Sequence, residues 1–158
     1  MPELSTATVT HSTPDTAVLL QRLARLVVKN GVGVGLLADD ERALALAAVW
    51  AALPADAVLN ERQLNEHLKS QLASQLAGPA AWLDTDHVEL RRWLVDAGFL
   101  HRDGYGREYR RVPDAYTRHP ELARALQGVD TAAFALAQRQ AHAAARAERR
   151  QRWQAQAA

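Results

Sequence analysis

Residues 84–112, DTDHVELRRWLVDAGFLHRDGYGREYRRV, decide how this chain is read. Three acceptors open the stretch, Asp84, Thr85 and Asp86, all suited to cap a helix, and Asp86 with Glu89 has capping-box spacing. Leu90, Trp93, Leu94 and Ala97 recur at helical spacing and draw an apolar face. Gly98 takes the left-handed conformation at little cost and so ends the helix. Residues 99–102 and 107–111 then read as two short strands around the loop 103–106, whose Asp-Gly opening and second glycine mark a hairpin. The predicted pairing sets residues 100–102 against 108–110. A helix followed by an arginine-rich hairpin is the reading half of a winged helix-turn-helix. It makes a nucleic acid the first partner to expect and enzymatic activity unexpected.

Upstream, the pattern supplies the rest of that unit. Residues 41–53 form an alanine- and leucine-rich helix that Asp39 or Asp40 would cap and Pro54 would end. Its acidic start complements the helix dipole. Val58-Leu59 is a short strand candidate able to pair with the wing. Asn60 then caps a helix running to about Leu76, with Leu64, Leu68, Leu72 and Leu76 as its stripe, and Gly78-Pro79 breaks the chain before the reading helix. Helix, short strand, helix, helix, hairpin is the winged-helix order.

The flanks read as helical extensions. Residues 1–13 are expected to be disordered. Within 14–40, Pro14-Asp15-Thr16 starts a helix to about Lys29, with Val18, Leu19, Leu23, Leu26 and Val27 as its apolar face, and Asn30-Gly31 stops it. Gly33-Val34-Gly35 fits neither the dinucleotide fingerprint nor a phosphate-binding loop, so it reads as an interhelical turn. Within 113–158, Pro120 sits at the first position of a short helix over 121–127 that Gly128 closes. Asp130 or Thr131 caps a last helix of about 24 residues. Its sizeable apolar side chains are Phe134, Leu136 and Trp153. Arg139, His142, Arg146 and Arg149 form a basic stripe along it. Residues 134–140 are expected to dock on the domain or a second subunit, and the remainder to project. The fold class is therefore mainly α with a small β-hairpin: a winged helix-turn-helix over 41–112 with helical N- and C-terminal extensions.

The run LRRWLVDAGFLHRDGYGREYRR, residues 90–111, resembles the bacterial domain-of-unknown-function family 2087, which occurs in small stand-alone proteins and fused to ArsR-type transcriptional regulators. Upstream, Glu61 and Asn65 in LNERQLNEHL match the acidic residue and asparagine, four apart, that this family carries. Asp86 matches the acidic residue before its Leu-Arg-Arg. The resemblance covers about 41–112. Two departures stand out: residues 71–82 form a longer connection than is usual there, and the acidic Asp39-Asp40-Glu41 replaces a basic segment. The resemblance implies a winged-helix-like fold and no settled biochemical activity.

Composition narrows the partner. At 158 residues the chain is one domain with extensions. It has no cysteine, which excludes disulfides and thiolate metal sites. No apolar run approaches the roughly 18–20 residues needed to cross a bilayer. The start, MPELSTATVTHSTPD, lacks the basic and apolar regions of a signal peptide, so a cytoplasmic location is expected. Two lysines against 17 arginines suggest a GC-rich bacterial genome. Residues 1–84 carry a net charge of −3 and residues 85–158 one of +4. A basic half that coincides with the reading helix and wing favours a polyanion. The excess is modest, so binding should be salt-sensitive and call for a dimer.

The candidate DNA-contacting residues follow. Thr85 and His87 stand at the start of the reading helix, where base contacts normally arise. Arg91 and Arg92 lie off its apolar face. Arg92 has good spacing for ion pairs with Glu89 and Asp96, which leaves Arg91 as the freer of the two. Arg102, Arg107, Arg110 and Arg111 flank the hairpin, with Tyr105 at its tip to stack or touch sugar, while Tyr109 belongs in the core. Glu61 and Asn65 read first as structural, with Asn65 bonding across to the reading helix near Arg91. A polar pocket of Asp86, Arg91, Glu61 and Asn65 for a small anion is the rival arrangement. The six histidines show no metal-ligand spacing, and no cofactor or catalytic set is expected. The expected function is DNA binding in transcriptional control as a homodimer. The competing one is a protein-interaction or small-ligand module on the same scaffold.

Overall fold

A computed structural model of the chain describes residues 15–73 and 78–157. The expected disorder of residues 1–13 and the place of Leu76 lie outside the described residues. Six helices are seen among them: α1 (Thr16–Val27), α2 (Asp39–Ala51), α3 (Glu61–Leu72), α4 (His87–Asp96), α5 (Pro120–Leu126) and α6 (Thr131–Ala157). Three short strands, β1 (Val58–Asn60), β2 (Leu100–Arg102) and β3 (Glu108–Arg111), form an antiparallel sheet in the order β1-β3-β2. The segment from α2 to β3 thus has winged helix-turn-helix order, and β1 pairs with the wing strand β3 as its position suggested.

Local chemistry explains most boundaries. Asp15 caps α1 by accepting from the Ala17 amide. Asn60 and Gln63 form a reciprocal capping box at the start of α3. Asp86 caps α4 by accepting from the Glu89 amide at 2.8 Å. Two expectations need correction. Helix α2 begins at Asp39 after Ala38, which makes no side-chain cap, so the acidic residues occupy the first turn and act on the helix dipole instead. Val18 is 49% exposed and is not part of the buried face of α1, which consists of Leu19, Leu23, Leu26 and Val27.

The hairpin pairs Leu100 with Arg111, His101 with Arg110 and Arg102 with Tyr109. The hairpin forms where expected, but its register is one residue off the expected pairing of 100–102 with 108–110: β2 pairs with residues 109–111, because the Asp103 amide donates to the Glu108 carbonyl at 3.0 Å and lengthens the loop. Arg107, expected in the strand, lies in the loop instead: its amide and that of Glu108 turn to the Asp103 carboxylate, at 2.8 and 3.2 Å. Two carboxylate hydrogen bonds displace the one ladder position that strand pairing would have given it.

One core runs through the winged unit and its extensions. Trp50 of α2 is wholly buried at its centre, with its ring 6.3 Å from Phe99 and its indole N–H donating to the Val112 carbonyl at 2.9 Å. Leu64 and Leu68 of α3, Leu90 and Leu94 of α4, Leu59 and Tyr109 of the sheet, and Leu126 and Ala135 of the extension pack in the same cluster. Each such leucine contributes roughly 1.5–3 kcal/mol by leaving water. The chain returns from α3 toward α4 through a close backbone approach. The Ala80 amide donates to the Gln71 carbonyl at 3.0 Å, and a Cβ at Gly78 would collide with that carbonyl. Val32 then bridges to the segment entering α4, donating to Trp82 at 3.1 Å and accepting from Asp84 at 2.8 Å. No helix among the described residues is long and apolar enough to cross a membrane.

Candidate nucleic-acid interface

Helix α4 shows its Leu90/Leu94 side to the core and leaves Val88, Glu89, Arg92 and Asp96 exposed. It stops at Gly98, whose φ of 81° lets the Phe99 amide turn back to the Leu94 carbonyl at 2.9 Å. A side chain at Gly98 would also strike Arg118, whose guanidinium donates to the Asp96 carbonyl at 2.6 Å. The hairpin follows at once, so α4 and the wing are held at a set distance by one buried Phe-Leu pair, Phe99 and Leu100.

The two adjacent arginines of α4 exchange the roles that local spacing suggested. Arg91 is the tied one. Its guanidinium donates to Glu61 at 3.0 Å and to Asn65 at 2.8 Å, lies 5.6 Å from the centre of the Tyr109 ring, and leaves the side chain only 17% exposed. It fastens α3 to α4 and sets the helix pair. Asn65 has the structural role expected of it. Arg92 is exposed and makes no ion pair or hydrogen bond among the described residues, so its expected pairing with Glu89 or Asp96 does not form. Asp86 spends its carboxylate on the cap. Of the imagined anion pocket, Arg91, Glu61 and Asn65 do meet, but they satisfy one another.

The wing divides in the same way. Arg102 lies opposite Tyr109, on the sheet face turned toward α4, and with Val88, Arg92 and Val95 borders a cleft of about 200 Å3 between helix and hairpin. Its guanidinium carbon is 6.0 Å from the Tyr109 ring centre. Tyr109 is buried, as expected. Tyr105 at the tip is 88% exposed, and Arg107 beside it is exposed too. Arg110, between Val58 and His101, is on the opposite sheet face and exposed there. Arg111 turns inward: it donates to the carbonyls of Trp50, Ala51 and Leu53, at 3.4, 3.4 and 3.0 Å, with its guanidinium 3.9 Å over the Trp50 ring. Its expected place on an exposed wing is therefore corrected. It closes the C-terminus of α2, whose last carbonyls have no partner within the helix. Burial lowers its pKa, and Asp56 and Asp114 work against that shift. Thr85 and His87 are half-buried at the start of α4.

The wing loop is held by a charge. Desolvation raises the pKa of Asp103, but the amides of Glu108, Arg107, Gly106 and Tyr105 outweigh it and hold the carboxyl below its ordinary range. The carboxylate is the hub of the turn.

Two further arginines have roles the sequence did not suggest: Arg42, and Arg139, whose expected place in the basic stripe of α6 is corrected, since it is half-buried against α1. Arg42 donates to the carbonyls of Val34 at 3.0 Å and Leu37 at 2.8 Å, and lies 4.8 Å over the Trp93 ring. The Gly33-Val34-Gly35 turn thus offers carbonyl oxygens to a cation, whereas a phosphate loop offers amides to an anion. Arg139 of α6 donates to the Val27 and Lys29 carbonyls, at 2.9 and 3.2 Å, closing α1 as Arg111 closes α2. The Arg139 partners lie 112 and 110 residues away along the chain, and those of Arg42, eight and five residues away, sit in an irregular turn, so helix periodicity carries no signal for these contacts. Among the described residues no group of three His, Asp or Glu side chains could hold a metal ion.

The geometry defines a winged-helix domain in which α4 has an exposed face beside a short hairpin wing. Residues 38–111 match a bacterial family described as an uncharacterized protein conserved in bacteria (DUF2087). The match runs from the residue before α2 to the last residue of β3, and so coincides with the winged unit and takes in Glu61, Asn65 and Asp86. No curated protein and no solved structure matches the chain.

Proposed function

We propose that the chain binds double-stranded DNA in transcriptional control, with α4 as reading helix and the hairpin as wing. The observation that carries this reading is the exposure of Arg92, Arg102 and Arg107 on those two elements, while Arg91 and Arg111 nearby are consumed by the fold. In this reading His87 and Val88, at the start of α4, would meet base edges and the guanidinium groups phosphates. Glu89 and Asp96 on the same helix limit the positive potential. Three phosphate contacts give a log-affinity against log-salt slope of about −2.7 per protomer. That is shallow for a specific binder, and a homodimer doubles it.

Replacing all three with alanine tests the assignment. Binding to a fluorescent 24-base-pair duplex should weaken, with the salt slope flattened by about 2.7 per protomer and helical ellipticity unchanged. An unaltered slope in a folded variant removes these residues from the interface. A wild-type chain that ignores every duplex would return the fold to the interaction-module reading.

A further inference from the structure

Helix α6 is anchored at its base and bare beyond it. Thr131 is buried and donates to the Ala48 carbonyl at 2.7 Å, Ala135 is wholly buried, and Arg139 clamps the end of α1. From residue 140 to 157 the side chains are exposed, apart from a half-buried Ala147. Those residues extend about 26 Å at 1.5 Å per residue.

The projecting part carries its unpaired charge on one side, while Glu148 and Arg152 pair with each other on another. At about 100° per residue, His142, Arg146, Arg149, Arg150 and Trp153 fall within roughly 100° of arc. The other side is mainly alanine and glutamine. Four arginines face a single acid, Glu148, which is 3.6 Å from Arg152. Arg146 has Arg149 and Arg150 as its three- and four-residue neighbours, an arrangement that destabilises an isolated helix. The dipole does not account for it either: no basic residue lies in the last turn, where that effect acts. Trp153, 74% exposed, completes the face.

We propose that residues 140–157 are a second nucleic-acid contact: a rigid cationic arm that lies along a duplex phosphate backbone, with Arg146, Arg149 and Arg150 on phosphates and Trp153 against sugar. This shares the ligand class of the reading above but none of its residues. Phosphates relieve the arginine repulsion and match the linear spacing of the charges. A membrane surface fits less well, because a helix lying in an interface needs a continuous apolar face and this one offers a lone tryptophan.

The test compares the full chain with R146Q/R149Q/R150Q, which keeps helix-forming side chains, and separately with R92A/R102A/R107A. The glutamine variant should flatten the salt slope for a duplex by about 2.7 per protomer, and a duplex should shield Trp153 from acrylamide quenching in the wild type. If the glutamine variant alone loses slope, the arm stands and the α4–hairpin interface falls. If only the alanine variant loses slope, the arm is overturned and the interface stands. Binding of the wild type to vesicles containing phosphatidylglycerol, with no binding to duplex, overturns both.

Discussion

Arginine in this protein is first a carbonyl ligand. Arg42, Arg111, Arg118 and Arg139 each close a helix end or a turn by donating to its carbonyls, among them those of Leu37, Leu53, Asp96 and Val27. The planar fork of five donors suits several carbonyls at once, which the point charge of lysine does not. Arg111 shows what this contributes. Arg111→Ala removes its hydrogen bonds to three carbonyls and the stacking over Trp50, and should cost about 2–3 kcal/mol in urea unfolding. Arg111→Lys should recover only part of that. A loss below about 0.5 kcal/mol would mean that water serves those carbonyls as well as Arg111 does.

At the scale of the element, the wing is a turn organised by one ionised carboxyl. The folded pKa of Asp103 is held below its ordinary value. Its stabilisation is therefore fully present above the unfolded value, near 3.9, and lost as pH falls through the lower folded value. The Arg107 and Glu108 amide proton shifts should move together with a midpoint below the ordinary carboxylate range, while the helices keep their ellipticity. Asp103→Asn should abolish that titration. A midpoint at or above about 3.9 would show that the amides do not favour the ionised form.

At the scale of the whole molecule, the extensions divide into part of the core and part outside it. Leu19, Leu23 and Val27 of α1, Leu126 of α5 and Ala135 of α6 are buried in the same cluster as Trp50. Ending the chain after residue 140 should leave the thermal midpoint within about 2 °C, since exposed side chains are lost. Ending it after residue 130 removes the Thr131, Ala135 and Arg139 contacts and should lower the midpoint by about 8 °C. Equal drops for the two truncations, read by calorimetry, would place part of the distal helix in the core.

Features that depend on neighbours along the chain could be read without coordinates. The Asn60 and Asp86 caps, the Gly98 stop and the presence of the hairpin rest on conformational preferences and hydrogen bonds spanning a few residues, and all were legible; the hairpin register, one residue off, was not. So was the projection of α6, because alanine forms helix while offering little to bury. The tertiary structure decided which charges are free. Arg91 and Arg92 are adjacent and alike, but a helix turns about 100° between them. That rotation points one at Glu61 and Asn65, 30 and 26 residues upstream, and the other at solvent. Arg111 finds its carbonyls 58 to 61 residues away. A guanidinium satisfies oxygen acceptors wherever folding brings them, and that meeting is set by how α2, α3, α4 and the sheet pack, which no local spacing encodes.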